Sequence, residues 1–433
     1  MMISRRGFVG ASVAAGMASF PLPTFRRAAL AIAREANAYA AASSASMLAD
    51  DETYWREIQR AFAVDRSLIY LNSAGLSPTP TRVLDEMVRE LRRSNEAPVE
   101  YMWRELEPRI EAVRRELAGE FGCDPEELAV VRNASEAMET MIFGLALRAG
   151  DEVIVTTQNY DRMLSAWDQR ARRDKIVVRA VSFALPATDA AVLDAVTAAI
   201  TPRTRAIELA QLTNWTGQPL PVAEIVALGR AHGLEVLVDG AQAFAHVPTS
   251  RDALACDYYG ASLHKWLLAP VGTGFLYVRK TKQAGLWPLM AAPQAMTDNI
   301  RKYEEIGTHP AANHNAILGA LAFHRAIGGP RKLARLRFLR DRWARAILAE
   351  GARVQIPTPL DDLRSGAVAL LHVEGMDPVA LHDWLWSHYR IVTSPTVHAG
   401  VAGIRVTPNV FNTVGEIDRF TDAMRRALRR GIS

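Results

Sequence analysis

The run Val236-Leu237-Val238-Asp239-Gly240-Ala241-Gln242 is apolar until it delivers one carboxylate, then a glycine and, three residues after the acid, an amide. In open α/β sheets ligands sit beyond the carboxyl ends of the strands, so this run places Asp239 at the edge of a site. Further on, Ser262-Leu263-His264-Lys265-Trp266 sets a lysine behind a serine and a histidine, among apolar residues and ahead of the turn Gly272-Thr273-Gly274. An amine in such company is placed to lose proton affinity, as a lysine that condenses with a carbonyl requires. Taken singly, a Lys after a His is commonly a surface residue and an Asp after a strand can be a helix N-cap. Their joint occurrence, separated by strand-like sequence, points to chemistry.

Asp239-x-x-Gln242 together with Ser262-x-His264-Lys265 resembles the class V aminotransferase family of fold-type I pyridoxal 5'-phosphate (PLP) enzymes, which also holds cysteine desulfurases, kynureninases and isopenicillin N epimerase-like proteins. The resemblance runs over about residues 71–405. It implies that Lys265 carries the cofactor as a Schiff base and then moves the substrate's α-proton, and that Asp239 pairs with the pyridinium nitrogen and keeps it protonated. It further implies that Gln242 donates to the phenolic oxygen, with Asn214 a second polar contact there. Asn133, Ala134 and Ser135, opening a helix after the strand 128–131, would cradle the phosphate. Ser262 and His264 would add donors, Thr308 would reach the phosphate of a neighbouring subunit in a homodimer, and Tyr160 would stack on the pyridine ring. Arg405, in Gly403-Ile404-Arg405-Val406-Thr407-Pro408, resembles the family's carboxylate-binding arginine, whose planar fork suits an α-carboxylate. Asn72 falls in the N-terminal active-site segment.

Positioning these residues requires alternating strands and helices. The short apolar runs 128–131, 153–155, 206–210 and 236–238 are each separated by longer stretches of helical periodicity such as 222–232. That alternation reads as a mainly parallel, doubly wound sheet covered on both faces. Gly274 to Val278 reads as a further strand, and Gly328-Gly329-Pro330 separates one helical run from an Arg-rich helix over 332–350, whose basic residues read as a solvated face. Strand-like runs at 370–373 and 404–406 belong to a smaller α+β pattern. The expected division is an N-terminal segment at 50–85, a large cofactor domain at 86–310 and a small C-terminal domain at 311–433.

With 433 residues, 49% hydrophobic and 23% charged, the chain can bury a large core. The 51 Lys and Arg against 47 Asp and Glu are dispersed, which disfavours nucleic acid as a partner. Two cysteines, Cys123 and Cys256, exclude a disulfide scaffold and allow at most one bridge. His309 and His314 lack the spacing of a helical metal pair, so no metal site is expected. Ser4-Arg5-Arg6-Gly7-Phe8-Val9, followed by a mild apolar run to Leu22, resembles a twin-arginine export signal. This implies use of the twin-arginine machinery, a periplasmic location and no stable membrane anchor, with segment 1–40 as signal and linker. Ala38-Tyr39-Ala40 fits a cleavage site, and a point nearer Pro23 is the alternative.

Cofactor motifs do not choose among products. Persulfide-forming desulfurases need a mobile cysteine in the C-terminal part, and no Cys follows Cys256. The expectation is therefore an exported PLP enzyme acting at the amino-bearing carbon of an amino acid or peptidic metabolite, as aminotransferase or epimerase. Tailoring of a secreted peptide such as a siderophore is one alternative, and a non-catalytic PLP-fold binding protein another. Epimerisation would need a second proton-transfer group, for which Tyr160 or His398 is the candidate.

Overall fold

The apolar runs around residues 128–131, 152–156, 204–210 and 235–239 are buried except at Arg205 and Glu235 near two strand starts, because both faces of one sheet are covered. The computed structural model describes residues 44–398 and 400–432, so segment 1–40 with its Arg5-Arg6 pair lies outside the described residues. In chain order the first strands are β1 (Ile69–Tyr70), β2 (Leu128–Val131), β3 (Glu152–Thr156), β4 (Val177–Val181), β5 (Thr204–Ala210), β6 (Glu235–Asp239), β7 (Tyr258–Ser262) and β8 (Gly274–Val278). Seven of them form a sheet in the order β2-β8-β7-β6-β5-β3-β4. Pairs from β7 through β4 are parallel, while β8 runs antiparallel to both β2 and β7. The fold is the mainly parallel α/β sheet that the alternation of segments implies.

Side-chain alternation sorts the two cores. Ile207, Leu209, Val236 and Val238 pack on one face with Val113, Leu117 and Phe121 of helix Glu107–Phe121. Ala206, Leu237, Val153 and Val155 pack on the other with helices Ala134–Gly144 and Asp161–Asp174. The second face leads, at the ends of the strands, to Asp239. Helices Ala311–Asn315 and Ile317–Ile327 contribute Ala311, Ile317 and Leu321 to the first core, although the sequence division at 310/311 groups them with the C-terminal part.

After Gly328, whose φ of 86° ends that helical run, helix Gly329–Leu348 leads into a second sheet. Its strands are β9 (Val354–Gln355), β10 (Ala369–Val373), β12 (Ser394–His398) and β13 (Val401–Val406), in the order β12-β13-β10-β9, while β11 (Ile391–Val392) pairs with β1. Helices Pro378–Tyr389 and Val414–Arg430 cover this unit. Ile69 and Leu71 belong to its core. Asn72 bridges Thr407, and Ser73 and Ala74 donate their N–H groups to Thr407. The N-terminal segment is therefore tied to the C-terminal unit.

The Arg-rich helix departs from a solvated face, since Lys332, Arg335 and Arg340 are buried. Each is met by oxygens a helix of this length can reach. Arg340 donates to Ser365 Oγ, Gly366 O and Leu360 O, and Arg335 reaches Glu52 and Ala49 O. Cys123 and Cys256 are free thiols, half-buried and buried. No helix among the described residues is long and apolar enough to cross a membrane.

Gly240 shows how closely the sheet is built around the acid. A Cβ there would overlap the ring of Tyr259, which is fully buried and fixed by its hydroxyl donating to Gln211 Oε1 at 3.0 Å. Gly240→Ala is expected to cost about 1–3 kcal/mol through overpacking, read as a lower urea midpoint.

Candidate active site

Asp239 ends β6 and Ser262 ends β7, its parallel neighbour, so Lys265 follows three residues beyond the same sheet edge. Between them and the C-terminal unit lies a cavity of about 360 Å³, lined by Asp239, Lys265, Arg405, Tyr160, Asn214 and Ser135 among others. Asn133, Gln242, Ser262 and His264 also line it. Ten of the residues named from sequence thus converge on one space.

Asp239 is buried, and its Oδ1 accepts the Ala241 N–H at 2.8 Å. Burial raises its pKa, while the Ala241 N–H and the charge of Lys265 oppose the rise. Lys265 keeps a partly accessible face toward the cavity but is enclosed by protein on the scale over which solvation acts. Desolvation brings its pKa down to about 8, against the attraction of Asp239 and with a small contribution from Arg405. Acid and amine thus interact across the cavity, each pushed toward neutrality by the same burial.

One corner is built for an anion. Helix Ala134–Gly144 opens there, with Asn133 as its cap accepting the Glu136 N–H at 2.9 Å. The Ala134 N–H is taken by Ser262 Oγ at 2.9 Å, so Ala134 holds Ser262 in place and does not itself face the cavity. Ser135, next in the turn, lines the cavity. His264 adds a buried Nδ1 without a hydrogen-bond partner, and burial, with the charge of Lys265, lowers its pKa to about 4. A neutral imidazole can present that nitrogen as donor.

Gln242 is clamped: its Nε2 donates to Ala74 O at 2.9 Å and its Oε1 accepts Trp266 Nε1 at 2.9 Å. Its second amide hydrogen is what a ligand's oxygen would receive. Trp266 in turn stacks on His246 with ring centroids 3.6 Å apart. Tyr160 precedes helix Asp161–Asp174 as its cap residue, which aims its ring at the cavity.

Arg405 is buried and crosses from β13 to the cavity. Its Nη1 donates to Asn214 O at 2.8 Å and its Nη2 to Asn72 Oδ1 at 2.9 Å. Its Nε has no partner, and Trp215 lies 5.7 Å from the guanidinium. Desolvation lowers its pKa to about 10, which leaves it cationic near neutrality. Asn72 orients Arg405 and stands outside the cavity lining, where the sequence reading has it meet substrate directly.

Thr308, expected to serve a neighbouring subunit, and His398 stand outside the lining as well. Thr308 is exposed in the stretch before helix Ala311–Asn315 and does not line this cavity. His398, weighed as a second base, sits outside the lining with Nε2 2.9 Å from Thr157 O and Nδ1 2.9 Å from Asp161. Sequence reasoning missed Trp215, Ser394 and the Ala74-Gly75 wall; position near Asn214 and Asn72 hints at the first and the last, and nothing at Ser394. It also missed Glu208, visible as one carboxylate in the apolar run 206–210. Among the described residues no group of His, Cys, Asp and Glu could hold a metal ion.

Comparison with known proteins gives a consistent set of relatives. The family model described as aminotransferase class-V matches residues 69–378. Isopenicillin N epimerase of Amycolatopsis lactamdurans is 30% identical over 395 residues, covering 86% of this chain and 98% of its own. A cysteine desulfurase of Yersinia pestis is 34% identical over 217 residues, 48% of this chain and 53% of that protein. In fold, a cysteine desulfurase of Escherichia coli superposes with a TM-score of 0.75 at 22% identity, covering 86% of this chain and 98% of that one.

The lowered lysine pKa carries a sign that can be measured. Between about pH 8 and the ordinary value of 10.5 the unfolded chain holds a proton that folded Lys265 has lost, so folding strengthens as pH rises through that window. The parent protein, freed of any carbonyl ligand on its amine, is expected to gain stability relative to Lys265→Met between these limits, measured by urea unfolding.

Proposed function

The chain belongs to the class V aminotransferase family, and on that footing we propose that it is a PLP-dependent enzyme acting at the amino-bearing carbon of an amino acid or a peptide with a free α-amino acid end. The observation that carries this reading is one cavity holding a buried acid, Asp239, a lysine of lowered proton affinity, Lys265, and a buried cation, Arg405.

The residues fit the cofactor. The orphaned His264 Nδ1, with Ser262, Ser135 and the helix start behind them, supplies donors for a phosphate. Asp239 would face the ring nitrogen, Gln242 and Asn214 the phenolic oxygen, and Tyr160 the ring. When bound, PLP supplies an aldehyde that links to an amine and an electron-withdrawing ring that accepts charge from the neighbouring carbon.

The protein's own part is positioning and proton transfer. Lys265, with its pKa near 8, exchanges a proton at Nζ at physiological pH and serves as base toward the substrate's α-carbon. Asp239, kept dry, acts as counter-ion to a cationic ring nitrogen. Arg405 has one N–H of Nη1 and one of Nη2 engaged and the second N–H of each left for a carboxylate, and Asn72 and the Asn214 carbonyl fix its plane. Trp215 beside it shields that contact from water.

Among reaction outcomes, the near full-length similarity to an isopenicillin N epimerase favours chemistry that begins with α-proton removal and keeps the carbon skeleton, by epimerisation or amino transfer. Persulfide formation is disfavoured: no cysteine follows Cys256, and burial pushes the Cys256 thiol up to about 12. We also propose that the Ser4-Arg5-Arg6 segment directs export to the periplasm and that a second subunit brings Thr308 to the phosphate. Appearance of the protein in the periplasmic fraction, lost in Arg5→Lys/Arg6→Lys, tests the first, and sedimentation of the purified chain as a dimer tests the second.

Purified protein is expected to show the visible absorbance of lysine-linked PLP, abolished by borohydride and absent in Lys265→Ala; a colourless protein without PLP by mass spectrometry refutes the assignment. With amino acids in deuterated water, deuterium at the α-carbon with scrambled stereochemistry marks epimerisation, and amine loss dependent on an added keto acid marks transamination.

Arg405→Ala is expected to raise KM on the order of 10- to 100-fold, in line with loss of a charged hydrogen bond. Asn72→Ala is expected to raise it less, with the cofactor spectrum unchanged in both.

A further inference from the structure

Glu208 occupies the middle of β5, where registers with Leu237 of β6 and Val155 of β3 place apolar neighbours on either side. Alternation along the strand puts its side chain on the same sheet face as Ala210, and Ala210 is the residue paired with Asp239. The carboxyl therefore lies one step down the adjacent strand from the cavity's acid. It is fully buried.

Its contacts are sparse. Trp167 Nε1, from helix Asp161–Asp174, donates to Oε2 at 2.9 Å, while Oε1 has no partner. Asn159, steadied by the Thr156 hydroxyl at 2.6 Å, donates from Nδ2 to the Glu208 carbonyl at 3.0 Å. The guanidinium of Arg170, on the same helix as Trp167, is occupied by Asp174 and by the carbonyls of Ile142 and Leu145. No cation pairs with Glu208 among the described residues, and the charged group that bears on it is Asp239, with Lys265 beyond. Burial, reinforced by the charge of Asp239, pushes its pKa up to about 8 against the Trp167 and Asn159 donors.

We infer that Glu208 is a positioning residue of the cofactor site, a buried acid that retains its own proton so that Asp239 alone carries negative charge beneath the cofactor's ring nitrogen. The inference rests on the PLP reading above. On neighbouring strands in a dry setting, the charge of Asp239 raises the proton affinity of Glu208. Its paired neighbours Val155 and Leu237 are apolar, and the buried Trp167 Nε1 needs an acceptor that an amide oxygen would supply as well as a carboxyl.

Full-length protein purified with PLP would be unfolded in urea across pH 4–9.5, alongside Glu208→Gln and Asp239→Asn. A carboxyl that holds its proton when folded and loses it when unfolded makes folding weaken as pH rises from about 4.5 to about 8. Glu208→Gln lacks that loss, so its folding constant relative to the parent is expected to climb up to about tenfold per pH unit inside the window and to level off above it. Asp239→Asn removes the like charge and is expected to bring the upper end of the window down by about half a unit or more. Trp167→Phe removes a donor to the charged form and moves it upward, a change of opposite sign that serves if Glu208→Gln does not fold.

In the coloured protein, the absorbance titration is expected to lose a component near pH 8 in Glu208→Gln. A flat stability difference across the range, a window indifferent to Asp239→Asn, or an unchanged absorbance titration would overturn the coupling. A colourless protein whose stability window still responds to Asp239→Asn would instead overturn the PLP reading and leave the coupling of the two acids standing.

Discussion

The site in this molecule depends on keeping an acid and an amine dry on opposite sides of one cavity. Asp239 and Lys265 leave adjacent parallel strands at the same sheet edge, and burial raises the pKa of one and lowers that of the other. Neither shift would persist in open water. The remaining construction maintains that dryness: Gly240 lets the Tyr259 ring close against the backbone, Trp266 and Ala74 hold the Gln242 amide, and Arg405 reaches in from the second unit. A cofactor that needs a counter-ion for its ring and an amine for its aldehyde finds both in a volume of about 360 Å³.

Much of this was legible in the sequence because the chemistry lies close to the strands that carry it. The run from Val236 to Asp239 reads as a strand ending in an acid, and it is β6. The turn Gly272-Thr273-Gly274 reads as the entry to a strand, and it leads into β8. What the linear pattern hides is the use made of each polar group. Asn133, Ala134 and Ser135 read alike as a phosphate cradle, yet Asn133 caps the helix and Ala134 spends its N–H on Ser262. Asn72 reads as a substrate contact and serves as a brace for Arg405, a distinction set by a partner 333 residues away.

The basic helix Gly329–Leu348 illustrates the same limit from the side of burial. Its arginines look solvated in sequence because charge is usually exposed. Three of its basic side chains instead lie inside, met by backbone carbonyls, the Ser365 hydroxyl and the Glu52 carboxylate, and Lys332 donates to the Trp266 carbonyl next to Lys265. Glu208 is a parallel case within a strand, where an acid among Ala206, Ile207, Leu209 and Ala210 looks like an interruption and proves to be buried beside Asp239.

The stretch from Ile69 to Gly75 is sewn to residues near the opposite end of the chain, through β11, Thr407 and Arg405, and it forms a wall of the pocket. During synthesis the large domain offers this wall the Gln242 amide and the His264 carbonyl, but its strand partner β11 and its anchors Arg405 and Thr407 come much later. The strands of the large sheet can assemble earlier, but the cavity they border stays open on one side until Ser394 and Arg405 arrive. Tight capture of a ligand in that cavity is thereby deferred until the segment through Thr407 has been made, and a chain ending before it would carry the acid and the lysine without the enclosure that tunes them.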